Sequence, residues 1–182
     1  MANKLVPIPK KIQIEQFLDQ TTITAPWYMP MAWFLLFFSL FWNSILAVFL
    51  VMVPFPAKLA LGFHLAAGVA IGWYTLCLFL NKTTFVITPR DFSLSTKPIF
   101  AFGYRDETIN RGDFTQIYVR EHKKRGKNGL TYQYKLHLLE HNGRSRVLPF
   151  SSDDPEQALF IRHEIEKVMR IERQEVEGEY LG

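Results

Sequence analysis

Two stretches of the chain, residues 31–53 and 59–80, contain no Asp, Glu, Lys or Arg. Each exceeds the ~20 apolar residues that carry a helix across a hydrocarbon core about 30 Å thick. The mean hydropathy of +0.01 would suit an ordinary soluble domain. It is instead the average of two uncharged segments and a polar remainder that holds every charge. This distribution excludes a purely soluble enzyme and a disordered tail. Residues 81–182 follow the second stretch and suffice for one small domain. The single cysteine, Cys77, lies inside the second stretch, so the chain has neither a disulfide framework nor a cysteine set for zinc.

The first 30 residues hold Lys4, Lys10, Lys11, Glu15 and Asp19 without an apolar core, so they do not read as a cleavable signal. Three lysines precede the first stretch, Lys58 alone falls between the two, and Lys82 and Arg90 follow the second. The positive-inside bias then places both termini in the cytoplasm. The connection over residues 54–58 is short and carries Pro54 and Pro56, which predicts a tight helical hairpin. Trp27, Tyr28, Trp33, Trp73 and Tyr74 gather towards its cytoplasmic ends, where amphipathic rings suit the headgroup region.

Small and polar residues matter in such helices because lipid tails offer little hydrophobic drive for pairing. Ser39, Asn43 and Ala47 recur every four residues in the first segment, and His64, Gly68 and Gly72 do so in the second. Counting back from the connection sets Asn43 level with Gly68 and Ser39 level with Gly72, so these residues are the expected packing stripe. His64 is read in two ways, as a structural residue near the non-cytoplasmic end or as an intramembrane ligand or proton-linked group.

From residue 81 the hydrophobic period changes to two. Strands are expected over residues 83–88, 92–96, 100–104, 106–110, 114–121 and 130–139, with Asn142-Gly143 as a type I′ turn into a strand at 144–150. Asp154, Pro155 and Glu156 then start a helix expected to reach Arg173, with Ala158, Ile161, Ile165 and Val168 on its apolar stripe. Antiparallel strands closed by one amphipathic helix follow the order of a pleckstrin-homology (PH)-like barrel or sheet. Residues 11–15 and 21–24 also read as strands, a hairpin able to join that sheet.

The run from Asn81 to Thr88, the strand from Ile117 to Glu121, and Asp154-Pro155-Glu156-Gln157-Ala158 resemble bacterial membrane proteins that carry a PH-like domain after two spans. Phe41-Trp42-Asn43 is similar to one such group. In layout alone the chain is also similar to the two-span photosystem I assembly factor of cyanobacteria and plastids. The resemblance implies a bacterial inner-membrane or thylakoid protein whose cytoplasmic domain binds a partner.

The main candidate surface is basic. Arg120, Lys123, Lys124, Arg125 and Lys127, with His122, fall where a loop is expected between two strong strands, and from residue 120 to 146 eight Lys and Arg face two Glu. Resemblance to PH domains implies that such a loop binds anionic headgroups, each cation near an anionic leaflet being worth roughly 1 kcal/mol. Docking on an acidic protein and a merely solvated tip are the other two readings. Nucleic acid fits poorly, because the net charge is only +4 and Tyr118, Tyr132 and Tyr134 suit strand packing. The acidic tail (Glu172, Glu175, Glu177, Glu179) reads as a solubilising end.

No nucleophile motif, zinc motif or phosphate loop occurs. His137 and His141 would lie about 13 Å apart along one strand. The expectation is therefore a non-enzymatic membrane protein without cofactor or metal, built as a membrane α+β fold: a two-helix hairpin (31–53, 59–80) between an N-terminal segment (1–30) and a PH-like domain (81–182). Its expected role is a binding or scaffold module, an accessory subunit or assembly factor of a membrane complex. The alternatives are a sensor of anionic lipids through residues 120–127 and an intramembrane cofactor-handling or transport component around His64 and Asn43.

Overall fold

A computed structural model of the chain describes residues 7–126 and 129–182. It comprises two compact units. The helical unit contains Pro26–Lys82 and Lys97–Phe102; the strand unit contains Thr83–Thr96, Gly103–Gly182 and the N-terminal residues up to Ala25.

In the helical unit, α1 (Met31–Met52) and α2 (Phe55–Leu80) are joined by Val53 and Pro54 alone. The connection is thus shorter than the five residues expected. Extended Pro54 caps α2, and Pro56 sits in its first turn, where a missing N–H breaks no helical bond. Windows within Met31–Met52 and Leu61–Leu80 are long and apolar enough to cross a membrane, and only 11% and 22% of them is buried. A core helix of a soluble protein would be mostly covered. The buried residues of α1 are Ala32, Ser39 and Leu46, spaced by seven. This corrects the expected stripe. Ala47 is exposed, because an every-four pattern drifts about 40° per step around a helix with 3.6 residues per turn, whereas a spacing of seven stays near the seam.

The strand unit holds two antiparallel sheets. The first runs in the order β1 (Gln13–Phe17), β2 (Gln20–Pro26), β3 (Lys82–Ile87), β4 (Asp91–Lys97), β5 (Glu107–Asn110). The N-terminal hairpin therefore forms, and β2 lies beside β3. The second sheet is β6 (Phe114–Gly126), β7 (Gly129–Glu140) and β8 (Ser145–Ser152), followed by α3 (Pro155–Val168). The described strands make two sheets, not one closed barrel. One core joins them: Phe85 meets Phe150 edge-on at 5.3 Å, Phe92 meets Phe114 at 5.9 Å, and α3 adds Ala158, Ile161 and Ile165, all fully buried.

Three local expectations change. Residues 100–102 form no strand and belong to the helical unit. The Asn142-Gly143 turn has positive φ at Gly143 alone, with Gly143 N–H donating to Glu140 O (3.0 Å) and Glu140 N–H to Arg144 O (2.9 Å). That pattern is a three-residue loop, and the Asn142 carboxamide holds the Arg144 N–H at 2.8 Å. Finally, α3 stops at Val168, not Arg173. Arg170 takes φ +50°, and the Ile171 N–H returns to Glu166 O at 2.9 Å, closing the helix as a Schellman motif with arginine where glycine is usual.

Candidate functional site

The long hairpin β6–β7 pairs without a break from Gln116↔Leu139 to Gly126↔Gly129. The basic residues 120–125 are consequently strand, not loop. Directly opposed residues share a face and successive ones alternate, so the expected single cluster is divided. Tyr118↔His137, Arg120↔Lys135, His122↔Gln133 and Lys124↔Thr131 form one face. Glu121↔Tyr134, Lys123↔Tyr132 and Arg125↔Leu130 form the other, which continues into the core through Val119↔Leu136 and Ile117↔Leu138. Lys123 is partly neutralised there, 3.5 Å from Glu121 and 5.8 Å from the centre of the Tyr132 ring. Lys127 lies outside the described residues.

The first face concentrates positive charge. Arg120 and Lys135 are paired across the ladder, a juxtaposition that costs stability. Among the described residues Arg120, Lys124 and Lys135 join no ion pair. Between these cations lies a polar relay. Tyr118 OH and Ser145 Oγ are 2.7 Å apart, Ser145 Oγ is 3.1 Å from His137 Nδ1, and His137 Nε2 is 3.1 Å from His122 Nε2. The two imidazole planes lie within 12° of each other. His137 is 4% exposed. Burial, then the neighbouring His122, Arg120 and Lys135, push its pKa down to about 4. Burial first, then Lys135, Arg120 and Lys124, also lowers that of His122. Both rings are therefore neutral at pH 7, and one must donate to the other.

A cavity of about 340 Å³ opens beside this relay, lined by Tyr104, Lys135, Val147, Pro149 and Ser151 among others. Val147 pairs with His137 and Ser151 with Lys135, which sets the cavity next to the cationic rung. Two converging imidazoles could begin a metal site, but no group of three His, Cys, Asp or Glu able to hold an ion occurs among the described residues. The surrounding cations oppose a metal further. The face suits an anion. The sequence pattern relates His137 only to His141, along one strand, and does not reveal the His122 contact. Register sets His137 opposite Tyr118, four residues along from His122, so strand pairing alone gives no sign of it.

The helical residues fall as follows. Asn43 Nδ2 donates to Ser39 O at 2.7 Å and to Gly68 O at 3.4 Å. A Cβ at Gly68 would sit 2.6 Å from Asn43 Oδ1, and one at Gly72 would sit 3.2 Å from Ser39 Oγ. Ser39, Asn43, Gly68 and Gly72 thus meet, without Ala47. His64 is exposed, with its ring 5.8 Å from that of Trp42.

Of the acidic tail, Glu179 is structural, while Glu172, Glu175 and Glu177 stay exposed. The Glu179 side chain is 2% exposed and accepts from Arg162 at 2.7 Å and from Arg173 at 3.1 Å. Gln116, itself buried, holds the Gln174 backbone in both directions, and the Tyr180 N–H donates to Val119 O at 2.7 Å. The tail therefore covers part of the free edge of β6, which would otherwise be open for pairing.

No protein-family model matches the chain, and no curated protein matches it.

Proposed function

We propose that the chain is an integral membrane protein of a bacterial inner or thylakoid membrane, with α1 and α2 crossing the bilayer and both termini cytoplasmic. Its strand unit is a tethered PH-like module that binds rather than catalyses, serving as an accessory subunit or assembly factor of a membrane complex. The like-charged rung Arg120–Lys135, extended by Lys124, carries this reading: a ladder position that costs stability on its own is explained if an anionic partner surface completes it. The open apolar faces of both helices supply the tether.

A second reading, a sensor of anionic lipids, is favoured by the cavity that Lys135 lines, since a headgroup fits a concave site better than a flat rung. One experiment separates the two. The full chain and its Arg120→Glu/Lys124→Glu/Lys135→Glu variant are purified in mild detergent, and co-purifying proteins are quantified. Both are also placed in neutral proteoliposomes, and capture of a second population of anionic vesicles is scored. Loss of a recovered protein with vesicle capture unchanged supports docking. Loss of capture alone supports the lipid reading. If neither changes, the basic face is not the site.

A further inference from the structure

Residues 97–102 read Lys-Pro-Ile-Phe-Ala-Phe, one charge at the end of β4 followed by apolar side chains with no regular structure. Such a connection should be polar if it lies in water. Here Phe100 and Phe102 are 62% and 85% exposed and pack edge-on against each other at 5.2 Å. The segment belongs to the same unit as α2.

Three side chains of that unit secure its backbone. Asn81, 1% exposed, donates from Nδ2 to Ile99 O at 2.8 Å and accepts the Ile99 N–H on Oδ1 at 2.7 Å. Trp73 Nε1 donates to Phe100 O at 3.0 Å, and the Cys77 thiol approaches the same oxygen at 3.9 Å. Cys77 and Trp73 precede the end of α2 at Leu80 by three and seven residues. At a rise of 1.5 Å per residue they lie about 4.5 and 10 Å back along the helix. The segment therefore lies against the last two turns of α2, at the depth where that helix would leave the hydrocarbon. Irregular backbone is tolerated at such depth only when its polar groups are satisfied by protein. Ile99 N–H, Ile99 O and Phe100 O all are.

We infer that residues 98–102 form an interfacial wedge, inserted beside α2 into the headgroup and upper acyl region of the same bilayer that α1 and α2 cross. Phe100 and Phe102 supply the buried apolar area, Trp73 sits at the same level, and Lys97 marks the aqueous side. The wedge gives the membrane part a third contact and fixes the depth of α2. It rests on the reading of α1 and α2 as spans.

The test uses the full chain in liposomes, with Cys77→Ser as background and single nitroxide labels. Phe100→Cys and Phe102→Cys report on the wedge, Phe41→Cys on the middle of α1, and Arg144→Cys on the exposed β7–β8 turn. Collision rates with oxygen and with a water-soluble nickel chelate give the depth of each label. The expected result is a several-fold lower nickel collision rate at both wedge positions than at Arg144→Cys, with higher oxygen exposure and a depth shallower than at Phe41→Cys. Water-like values at both wedge positions, with Phe41→Cys still in lipid, overturn the wedge and leave the spans standing. A water-like Phe41→Cys overturns the spans and the wedge together.

Discussion

Acid should loosen the strand unit through His137. The ring is buried in β7 and faces Tyr118, Arg120 and His122 from β6, Lys135 from its own strand and Ser145 from the start of β8. Its pKa is about 4, against 6.5 for an unperturbed histidine. The unfolded chain takes up a proton below about pH 6.5 while the folded unit declines it. The stability linked to His137 is therefore fully present above that pH, falls as pH drops, and levels off below about pH 4. Linkage gives a loss of about 2 kcal/mol by pH 5 and about 3 kcal/mol by pH 4. His122 is shifted in the same direction, by burial and then by Lys135, Arg120 and Lys124. Glu166, whose pKa is raised by burial, acts in the opposite direction and must be separated.

The assay compares the wild type with His137→Gln, which retains a polar side chain near Ser145. Urea unfolding of the full chain in mild detergent is followed between pH 7 and pH 4 by circular dichroism of the sheets. Tryptophan fluorescence would report the wrong unit, because Trp27, Trp33, Trp42 and Trp73 all lie in the helical one. The wild type should lose about 2 kcal/mol more than His137→Gln between pH 7 and pH 5. Parallel losses in the two proteins, or an NMR titration of the His137 ring centred near the unperturbed value, would refute the reasoning.

Glu179→Gln should destabilise the strand unit by about 3 kcal/mol, since it leaves buried Arg162 with a weaker partner; hydrogen exchange at the Tyr180 amide should rise with it, and a melting temperature equal to the wild type's would count against a structural tail. Gly68→Leu should cost about 1 kcal/mol net, overpacking of about 2 kcal/mol against Asn43 being offset by about 0.8 kcal/mol of helix propensity. Adding Asn43→Ala should recover part of the loss in the same detergent melting assay, and additive losses would show that the two residues do not meet.

Periodicity carried much of the fold. The charge-free segments had one helical reading, the alternation in residues 83–88 and 114–121 had one strand reading, and Asp154-Pro155 marked the start of α3, whose Asp154 carboxylate accepts the Glu156 N–H at 3.0 Å. The levels of Asn43 with Gly68 and of Ser39 with Gly72 also followed from counting. The actual connection is shorter than the one assumed, but one turn of helix added to α2 changed the register little. The end of α3 was not legible, because Arg170 adopts a backbone conformation that residue identity reserves for glycine or asparagine. The division of the basic cluster was legible in principle. A strand through residue 126 alternates its faces, and only the expectation of a loop there concealed it.

The sequence by itself determined which segments are apolar, which alternate and where the charge gathers, since these are local consequences of side-chain period and composition. Tertiary structure alone decided what those segments meet. Glu179 became a buried partner of Arg162 only when the tail folded back, His122 reached His137 across the hairpin, and residues 97–102 joined the helical unit through Asn81, Trp73 and Cys77. Each of these is a contact between residues at least 15 apart in the chain, and a local period carries no record of which distant residue will fill a neighbouring space.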